Sequence, residues 1–241
     1  MPLYTFTSNT SITQSFTSKR SKAANMYKSS VVVPEKDWRI MWGIVFTDGT
    51  NAFGPRGAKF KIELRFKQAV FIDHLFTRMQ HITFQSEPFP CYRNKEKTDL
   101  KSYAFWSFLS PTLVEFCKSM IIEGIIKNSQ PRLVKRYKTR MIDRWLTDEG
   151  FAYAMIRDGT NHKRDNLSSL AVHGLTPNNA KLFCLELNRK FGLNRKVLMD
   201  SYHKGTPYIV YPAIDRARLR ELLDPYLLRP LFSNKLPRIK D

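Results

Sequence analysis

RIMWGIVFTDGTN (residues 39–51) is an apolar run with helical spacing that ends in Asp-Gly-Thr-Asn, and GFAYAMIRDGTNH (residues 150–162) ends in the same way. An aspartate at a helix C-terminus is unfavourable, because the helix macrodipole is negative there. A single Asp-Gly is most simply a helix cap. Two copies, one in each half of the chain, predict an internal duplication and a shared function for Asp48 and Asp158.

The charge of the chain indicates an anionic partner. Its 241 residues include 40 Lys and Arg against 21 Asp and Glu, a formal net charge of +19. This balance favours nucleic acid over the alternative of a basic protein kept in solution by self-repulsion. The three cysteines lack zinc-site spacing and suit a reducing compartment. No apolar run is long enough to span a bilayer, so we expect no membrane partner.

The order of the predicted elements repeats in the two halves, each of which fits helix, two strands, helix, two strands, helix. Residues 35–126 are the predicted first repeat and residues 147–241 the second repeat with a C-terminal tail. Residues 127–146 are a predicted basic linker that either stays solvated or contacts phosphate. Residues 1–34 contain no Asp or Glu and are a predicted flexible basic arm, with part of an organellar targeting segment as the alternative.

Individual elements follow from periodicity and capping residues. The predicted helices cover residues 36–48, 68–82, 111–124, 148–158, 177–191 and 214–223. The predicted strands cover residues 58–66, 100–109, 166–173, 195–203 and 207–212. Together they predict an α+β fold.

Proximity of the two aspartates would follow from a pseudo-twofold axis between the repeats. The two motif helices could then pack side by side through the small residues Gly43, Ala152 and Ala154. Two carboxylates at two negative helix ends repel each other unless a cation lies between them. Mg²⁺ prefers such oxygen ligands and is completed by water and phosphate oxygens. Metal-assisted hydrolysis of a phosphodiester is the reaction that this arrangement predicts.

Strand faces supply the candidate DNA contacts, because donors and acceptors on strands can match base edges in the major groove. The alternation in residues 58–66 puts four charged side chains on one open face. The alternative for each is a solvated strand surface. The candidates are Lys59, Lys61, Glu63 and Arg65 in the first repeat, and Ser168, His173 and the stretch Arg195–Lys204, including Lys196, in the second. His162 is interpreted as an exposed loop histidine.

Motif copies MWGIVFTDG (41–49) and FAYAMIRDG (151–159) resemble those of the LAGLIDADG homing endonuclease family. NAKLFCLELNRKFGLN (179–194) and PAIDRARLRELLDPYLLRPLFSNKLP (212–237) follow in the order of its single-chain, two-repeat branch, which includes I-SceI. The resemblance covers roughly residues 36–238. It implies a pseudo-twofold, duplicated αββαββα fold, in which two antiparallel sheets form a saddle on DNA.

The same resemblance implies a site-specific endonuclease that cuts both strands of a long asymmetric duplex with Mg²⁺, for which Mn²⁺ is expected to substitute. Asp48 and Asp158, followed by Gly49 and Gly159, are the implied metal-binding positions. Lys235 and Lys127 are the implied catalytic lysines. The family also implies a monomer with an internal pseudo-dimer, encoded in an intron of an organelle, with the mitochondrion favoured over the chloroplast.

Three positions depart from the family pattern: Thr47, Ala154 and Arg157. Arg157 precedes the second aspartate, where a small or acidic residue is common; it is expected either to pair with an aspartate and weaken metal binding or to contact DNA phosphate. Two other functions remain open on this scaffold. One is an intron maturase that binds its host intron RNA, and the other is a cleavage-inactive DNA-binding protein.

Overall fold

A computed structural model of the chain describes residues 22–48, 50–54, 57–127, 130–135, 137–162, 167–200 and 206–226. The helices are α1 (Lys22–Ser30), α2 (Glu35–Asp48), α3 (Ala69–Arg78), α4 (Val114–Met120), α5 (Met141–Trp145), α6 (Asp148–Asp158), α7 (Pro177–Phe191) and α8 (Arg216–Leu223). The strands are β1 (Thr50–Gly54), β2 (Gly57–Arg65), β3 (Phe89–Tyr92), β4 (Leu100–Trp106), β5 (Ile121–Lys127), β6 (Gln130–Lys135), β7 (Gly159–His162), β8 (Leu167–Ala171), β9 (Lys196–Asp200) and β10 (Thr206–Tyr211).

Two four-stranded antiparallel sheets confirm the predicted α+β fold. Their strand orders are β1-β2-β4-β3 and β7-β8-β10-β9, so the second sheet repeats the connectivity of the first. The chain divides into two compact units, one from Met1–Asp37 with Gly49–Lys118 and one from Trp38–Asp48 with Ser119–Asp241. Most of the first motif helix, α2, therefore belongs to the unit that contains the second motif helix.

The first unit has its core between one face of the sheet and α3. Strand β2 alternates as predicted, with Phe60 and Ile62 fully buried and Lys61 on the opposite face. Helix α3 buries its apolar stripe against β2 and β4. The ring of Phe76 meets that of Phe105 edge-on, with centroids 5.5 Å apart. Helix α3 thus covers one face of the sheet, and the charged side chains of β2 lie on the opposite face.

The second unit shows the helix starts that the sequence predicts. The Thr147 hydroxyl accepts from the Gly150 N–H at 3.1 Å and caps α6. The Thr176 hydroxyl accepts from the Asn179 N–H at 3.3 Å and caps α7. Helix α7 ends at Phe191, and the next residue, Gly192, has a left-handed φ of 63°. Each cap satisfies a backbone N–H that has no partner within the helix, so α6 and α7 both begin at a defined residue.

Part of the predicted N-terminal arm is a packed helix, so that part of the prediction is wrong. In α1 the Tyr27 hydroxyl donates to the His81 carbonyl at 2.8 Å, and the Ser110 hydroxyl donates to the Lys28 carbonyl at 2.8 Å. The Tyr27 ring also meets Phe108 edge-on at 6.0 Å. The prediction of a flexible arm relied on the absence of acidic residues and gave no weight to Tyr27. Residues 1–21 lie outside the described residues.

The predicted linker contains regular structure, and the helix predicted to reach residue 124 ends at Met120. Strand β5 begins directly after it and pairs with β6 in a hairpin. The run IIEGII contains four isoleucines, whose branched side chains favour a strand over a helix. Farther on, the buried Tyr137 hydroxyl donates to the Glu186 carboxylate. Its ring packs edge-on against Phe46 of α2, at 6.1 Å.

Besides β5 and β6, three short strands were not predicted from the sequence: β1, β3 and β7. They are only four or five residues long, so they carry little alternation. None of the described helices combines the length and apolar character that a bilayer crossing needs.

Candidate metal and nucleic-acid site

Helices α2 and α6 touch backbone to backbone at two glycines. A Cβ added to Gly43 would lie 2.2 Å from the Gly150 carbonyl oxygen, and a Cβ added to Gly150 would lie 2.7 Å from the Arg39 carbonyl oxygen. No side chain fits at either point. Gly43 was predicted at this interface, whereas Gly150 was missed. Ala152 and Ala154 are buried, 0% and 3% exposed, but the closest approach is made at Gly150, two and four residues earlier.

The contacts along the two helices fix their relative direction. Arg39 and Gly43 lie against Gly150, and farther along both helices an Arg157 nitrogen donates to the Ile44 carbonyl at 3.3 Å. Residue numbers therefore increase in the same direction on α2 and α6. At about 1.5 Å of rise per residue, the helices end roughly 8 Å and 12 Å beyond the glycine contact. Both motif aspartates are terminal residues on that side.

Asp158 lies at the junction of α6 with β7. Its side chain is 19% exposed, and the next residue, Gly159, donates its N–H to the Met155 carbonyl. A Cβ on Gly159 would lie 2.3 Å from that carbonyl oxygen, so the turn requires glycine. A partly open carboxylate beside a negative helix end is an oxygen donor that suits a hard divalent cation. Asp158 therefore fits the predicted metal.

Asp48 has the corresponding place in the first repeat. It is the last residue of α2, and β1 begins at Thr50. The Asp48 side chain and Gly49 lie outside what the structure describes. The shared helix–Asp–Gly–strand order nevertheless repeats around both motif acids.

Arg157 is buried at this end of the helix pair, with a side chain that is 3% exposed. Its Nε lies 3.7 Å from the Asp158 Oδ2, and its Nη1 donates to the Ile44 carbonyl. This contradicts the predicted DNA contact for Arg157, because no open surface is left for a phosphate. The alternative expectation, pairing with an aspartate, describes the observed geometry.

Charged side chains on the open face of the first sheet form a network around Glu63. Its carboxylate accepts from Lys61 at 2.6 Å, from Lys101 at 2.9 Å and from the Ser102 hydroxyl at 2.5 Å. Burial alone would raise the pKa of Glu63. The hydrogen bonds from these donors outweigh it and lower the pKa to about 2. Glu63 is thus a fixed negative charge on a basic face.

Trp106 is the aromatic part of the same face. It pairs with Lys61 across β2 and β4, and the Lys59 ammonium lies 4.3 Å from its ring centroid. Lys59, Lys61 and Arg65 keep partly or fully exposed side chains, as a DNA contact requires. Lys101 and Trp106 were missed as candidates. Alternation in LKSYAFW puts Lys101 in step with the buried Tyr103 and Phe105, so only its bond to Glu63 shows that it belongs to this network.

Arg195 was predicted to contact DNA and is instead buried, at 6% exposure. Its guanidinium carbon lies 4.6 Å from the ring centroid of Tyr211 and 5.2 Å from that of Phe151. Within the described residues none of its guanidinium nitrogens has a hydrogen-bond partner, and burial lowers the pKa of the group. The side chain points into the core because Asn188 holds the Arg195 backbone just before β9.

The other candidates of the second repeat differ in exposure. Lys196 and His173 are exposed, whereas Ser168 is 3% exposed and so is not available to a base. The His162 ring nitrogen bonds the Ser169 hydroxyl at 2.9 Å on the neighbouring strand. Lys127 ends β5, but its side chain is not described. Lys204 and Lys235 lie outside the described residues.

Comparison with known proteins identifies the scaffold. Residues 38–213 match the LAGLIDADG DNA endonuclease family. A curated relative, the probable intron-encoded DNA endonuclease 3 of Mycosarcoma maydis, is 29% identical over 140 residues, which make up 58% of this chain and 96% of that protein.

Among solved structures, the homing endonuclease I-WcaI bound to its DNA recognition sequence has the same fold, with a TM-score of 0.76 and 17% identity over 92% of this chain and 96% of that one. Full-length WhiA from Thermatoga maritima is more distant, with a TM-score of 0.51 and 11% identity over 87% of this chain and 62% of that one. The likeness to I-SceI stays a prediction. The matched region includes most of α2, all of α6 and both four-stranded sheets, and the chain belongs to the LAGLIDADG DNA endonuclease family.

Proposed function

We propose that the protein is a site-specific DNA endonuclease that hydrolyses phosphodiester bonds in both strands of a long, asymmetric duplex site. The observation that carries this proposal is the parallel pairing of α2 and α6, each of which ends in an aspartate on the same side of the glycine contact. The relative from Mycosarcoma maydis, named a probable intron-encoded DNA endonuclease, supports the same reaction class.

Asp48 and Asp158 would hold Mg²⁺, or Mn²⁺ in its place. When bound, the metal supplies charge stabilisation at the phosphate and a more acidic bound water. The two carboxylates keep this charge at the helix ends, and the tight turn at Gly159 fixes where the Asp158 carboxylate stands. Lys127 and Lys235 are proposed to lie near the phosphates that are cut.

DNA binding would use the two sheets. Lys59, Lys61 and Arg65 on β2, and Lys196 on β9, have partly or fully exposed side chains. With a formal net charge of +19, attraction to phosphate supplies most of the affinity, whereas base contacts from the strands supply the sequence choice. We propose that a single chain binds the duplex as a monomer. Because that relative is named a probable intron-encoded DNA endonuclease, we place the protein in an organelle, with the mitochondrion favoured.

Cleavage of a duplex library tests this function. The purified chain is incubated with Mg²⁺ and a plasmid library of randomised sites, and the cut ends are sequenced. The proposal expects both strands to be cut within one recurrent long site, and no cutting in EDTA. Intact DNA throughout the library overturns it. If the same chain then binds and folds its host intron RNA, the maturase function takes its place.

A further inference from the structure

Arg157 places a permanent positive charge at the helix ends that carry the motif aspartates Asp48 and Asp158. Its guanidinium contacts the last turn of α2 through the Ile44 carbonyl and lies beside the Asp158 carboxylate at the end of α6. One side chain therefore joins the ends of both motif helices. A buried charge is costly unless it is compensated, so the surroundings of Arg157 must favour a cation.

The compensation comes from the helix ends. The C-termini of α2 and α6 both carry the negative end of a helix dipole, and both end in an aspartate. A cation at that place lowers the repulsion among these groups. Arginine does not lose its proton under any ordinary condition, so the charge stays when a second cation arrives. A metal ion on Asp158 then meets a fixed positive charge nearby, and that repulsion opposes its binding.

We propose that Arg157 is a resident counter-cation that positions Asp158 in the metal-free protein and sets the Mg²⁺ concentration at which the site fills. This inference rests on the proposed function, in which Asp158 holds the metal. The site is then poorly occupied in the free protein. Phosphate oxygens of bound DNA add the negative charge that offsets Arg157, so metal uptake is tied to DNA binding.

Metal-dependent stability tests this role without an activity measurement. The melting temperature is followed against Mg²⁺ or the inert substitute Ca²⁺, at constant ionic strength, for the wild type, Arg157→Met and Arg157→Lys. Arg157→Met is expected to melt lower without metal and to reach half-saturation at a metal concentration about tenfold lower, which corresponds to about 1.4 kcal/mol. Arg157→Lys keeps the charge and is expected to keep the wild-type half-saturation.

A merely structural arginine gives a different result. The melting temperatures of Arg157→Met then lie below those of the wild type by the same amount at every metal concentration, and this outcome overturns the inference while leaving the endonuclease function intact. If Arg157→Met does not fold, Arg157→Gln, which is neutral but polar, decides by the same criterion.

A second comparison tests whether the effect passes through Asp158. In an Asp158→Asn background, adding Arg157→Met is expected to leave the metal response unchanged; a persistent tenfold shift would contradict the inference. A third outcome is that neither metal changes the melting temperature of the wild type, with or without DNA. This result would show that the protein binds no metal, and it would refute the metal-dependent part of the proposed function as well.

Discussion

Gly43 of α2 and Gly150 of α6 lie so close that a methyl group on Gly43 would stand 2.2 Å from the Gly150 carbonyl oxygen. Backbone atoms cannot rotate away as side chains do, so a larger residue must push the helices apart. We expect Gly43→Ala to lower the free energy of unfolding by about 2 kcal/mol or more, measured by urea denaturation. Lys36→Ala, at an exposed position of the same helix, is the control and should change it by less than about 0.5 kcal/mol. Equal stabilities for the two variants would show that the glycine contact is not the close one described.

Asp158→Asn is expected to remove cleavage and keep DNA binding. The amide cannot hold Mg²⁺ as a carboxylate does, and loss of the metal costs several kcal/mol of transition-state stabilisation, so the rate should fall at least about a hundredfold. Binding, measured by gel shift with Ca²⁺, should stay or tighten, because a negative charge near phosphate is gone. Asp148→Asn makes the same change at the other end of α6 and should cut normally. Retained cleavage in Asp158→Asn would exclude Asp158 as a metal ligand.

Substitutions of Arg195 can distinguish a packing role of this side chain from a DNA contact. Because its guanidinium lies between the rings of Phe151 and Tyr211, Arg195→Ala should leave a cavity and cost about 2–4 kcal/mol in urea denaturation. Arg195→Met fills the space without a buried charge and should cost less than about 1.5 kcal/mol. DNA affinity of the methionine variant should match the wild type. A tenfold weaker affinity in a stably folded Arg195→Met would mean that the side chain reaches DNA.

The sequence predicted those parts of the fold that depend on residues close together in the chain. Thr147 and Thr176 were predicted as helix caps, because each cap bond is made with the residue three positions farther along the chain. The alternation in β2 gave its open face for the same reason. Arg195 failed this kind of reasoning, because its direction depends on the side chain of Asn188 and on two rings from distant elements.

The candidate site shows the same division. The sequence identified Asp48 and Asp158 as helix-terminal acids, and their helices run parallel as a shared site requires. Gly150 was missed, because a glycine in the first turn of a helix has many local explanations and only its neighbour across the interface distinguishes them. The burial of Arg157 likewise depends on where α2 ends, which no spacing within the second motif contains.

The contribution of Glu63 to the stability of the fold should depend on pH. Its pKa is lowered in the folded protein from 4.5 to about 2, so the contribution is present above about pH 4.5 and is lost as the pH falls towards 2. The difference in unfolding free energy between the wild type and Glu63→Gln should therefore shrink between pH 5 and pH 3. It should stay constant between pH 6 and pH 8, where Glu63 is ionised in both states. A difference that is the same at pH 3 and pH 6 would show that the lysines do not hold the carboxylate.

Glu63→Gln should also strengthen DNA binding that does not depend on sequence. In the folded protein Glu63 engages the ammonium groups of Lys61 and Lys101 at 2.6 Å and 2.9 Å, and a neutral amide releases both for phosphate. Each added phosphate contact steepens the dependence of log affinity on log salt by about 0.9. Affinity for a random duplex, measured by fluorescence anisotropy from 50 to 200 mM salt as a rough range, should rise and its salt slope should increase. Glu115→Gln makes the same charge change at an exposed position of α4 and should leave the slope unaltered. If both variants shift the binding curve equally, net charge alone explains the gain, and the open face of the first sheet is not where the duplex binds.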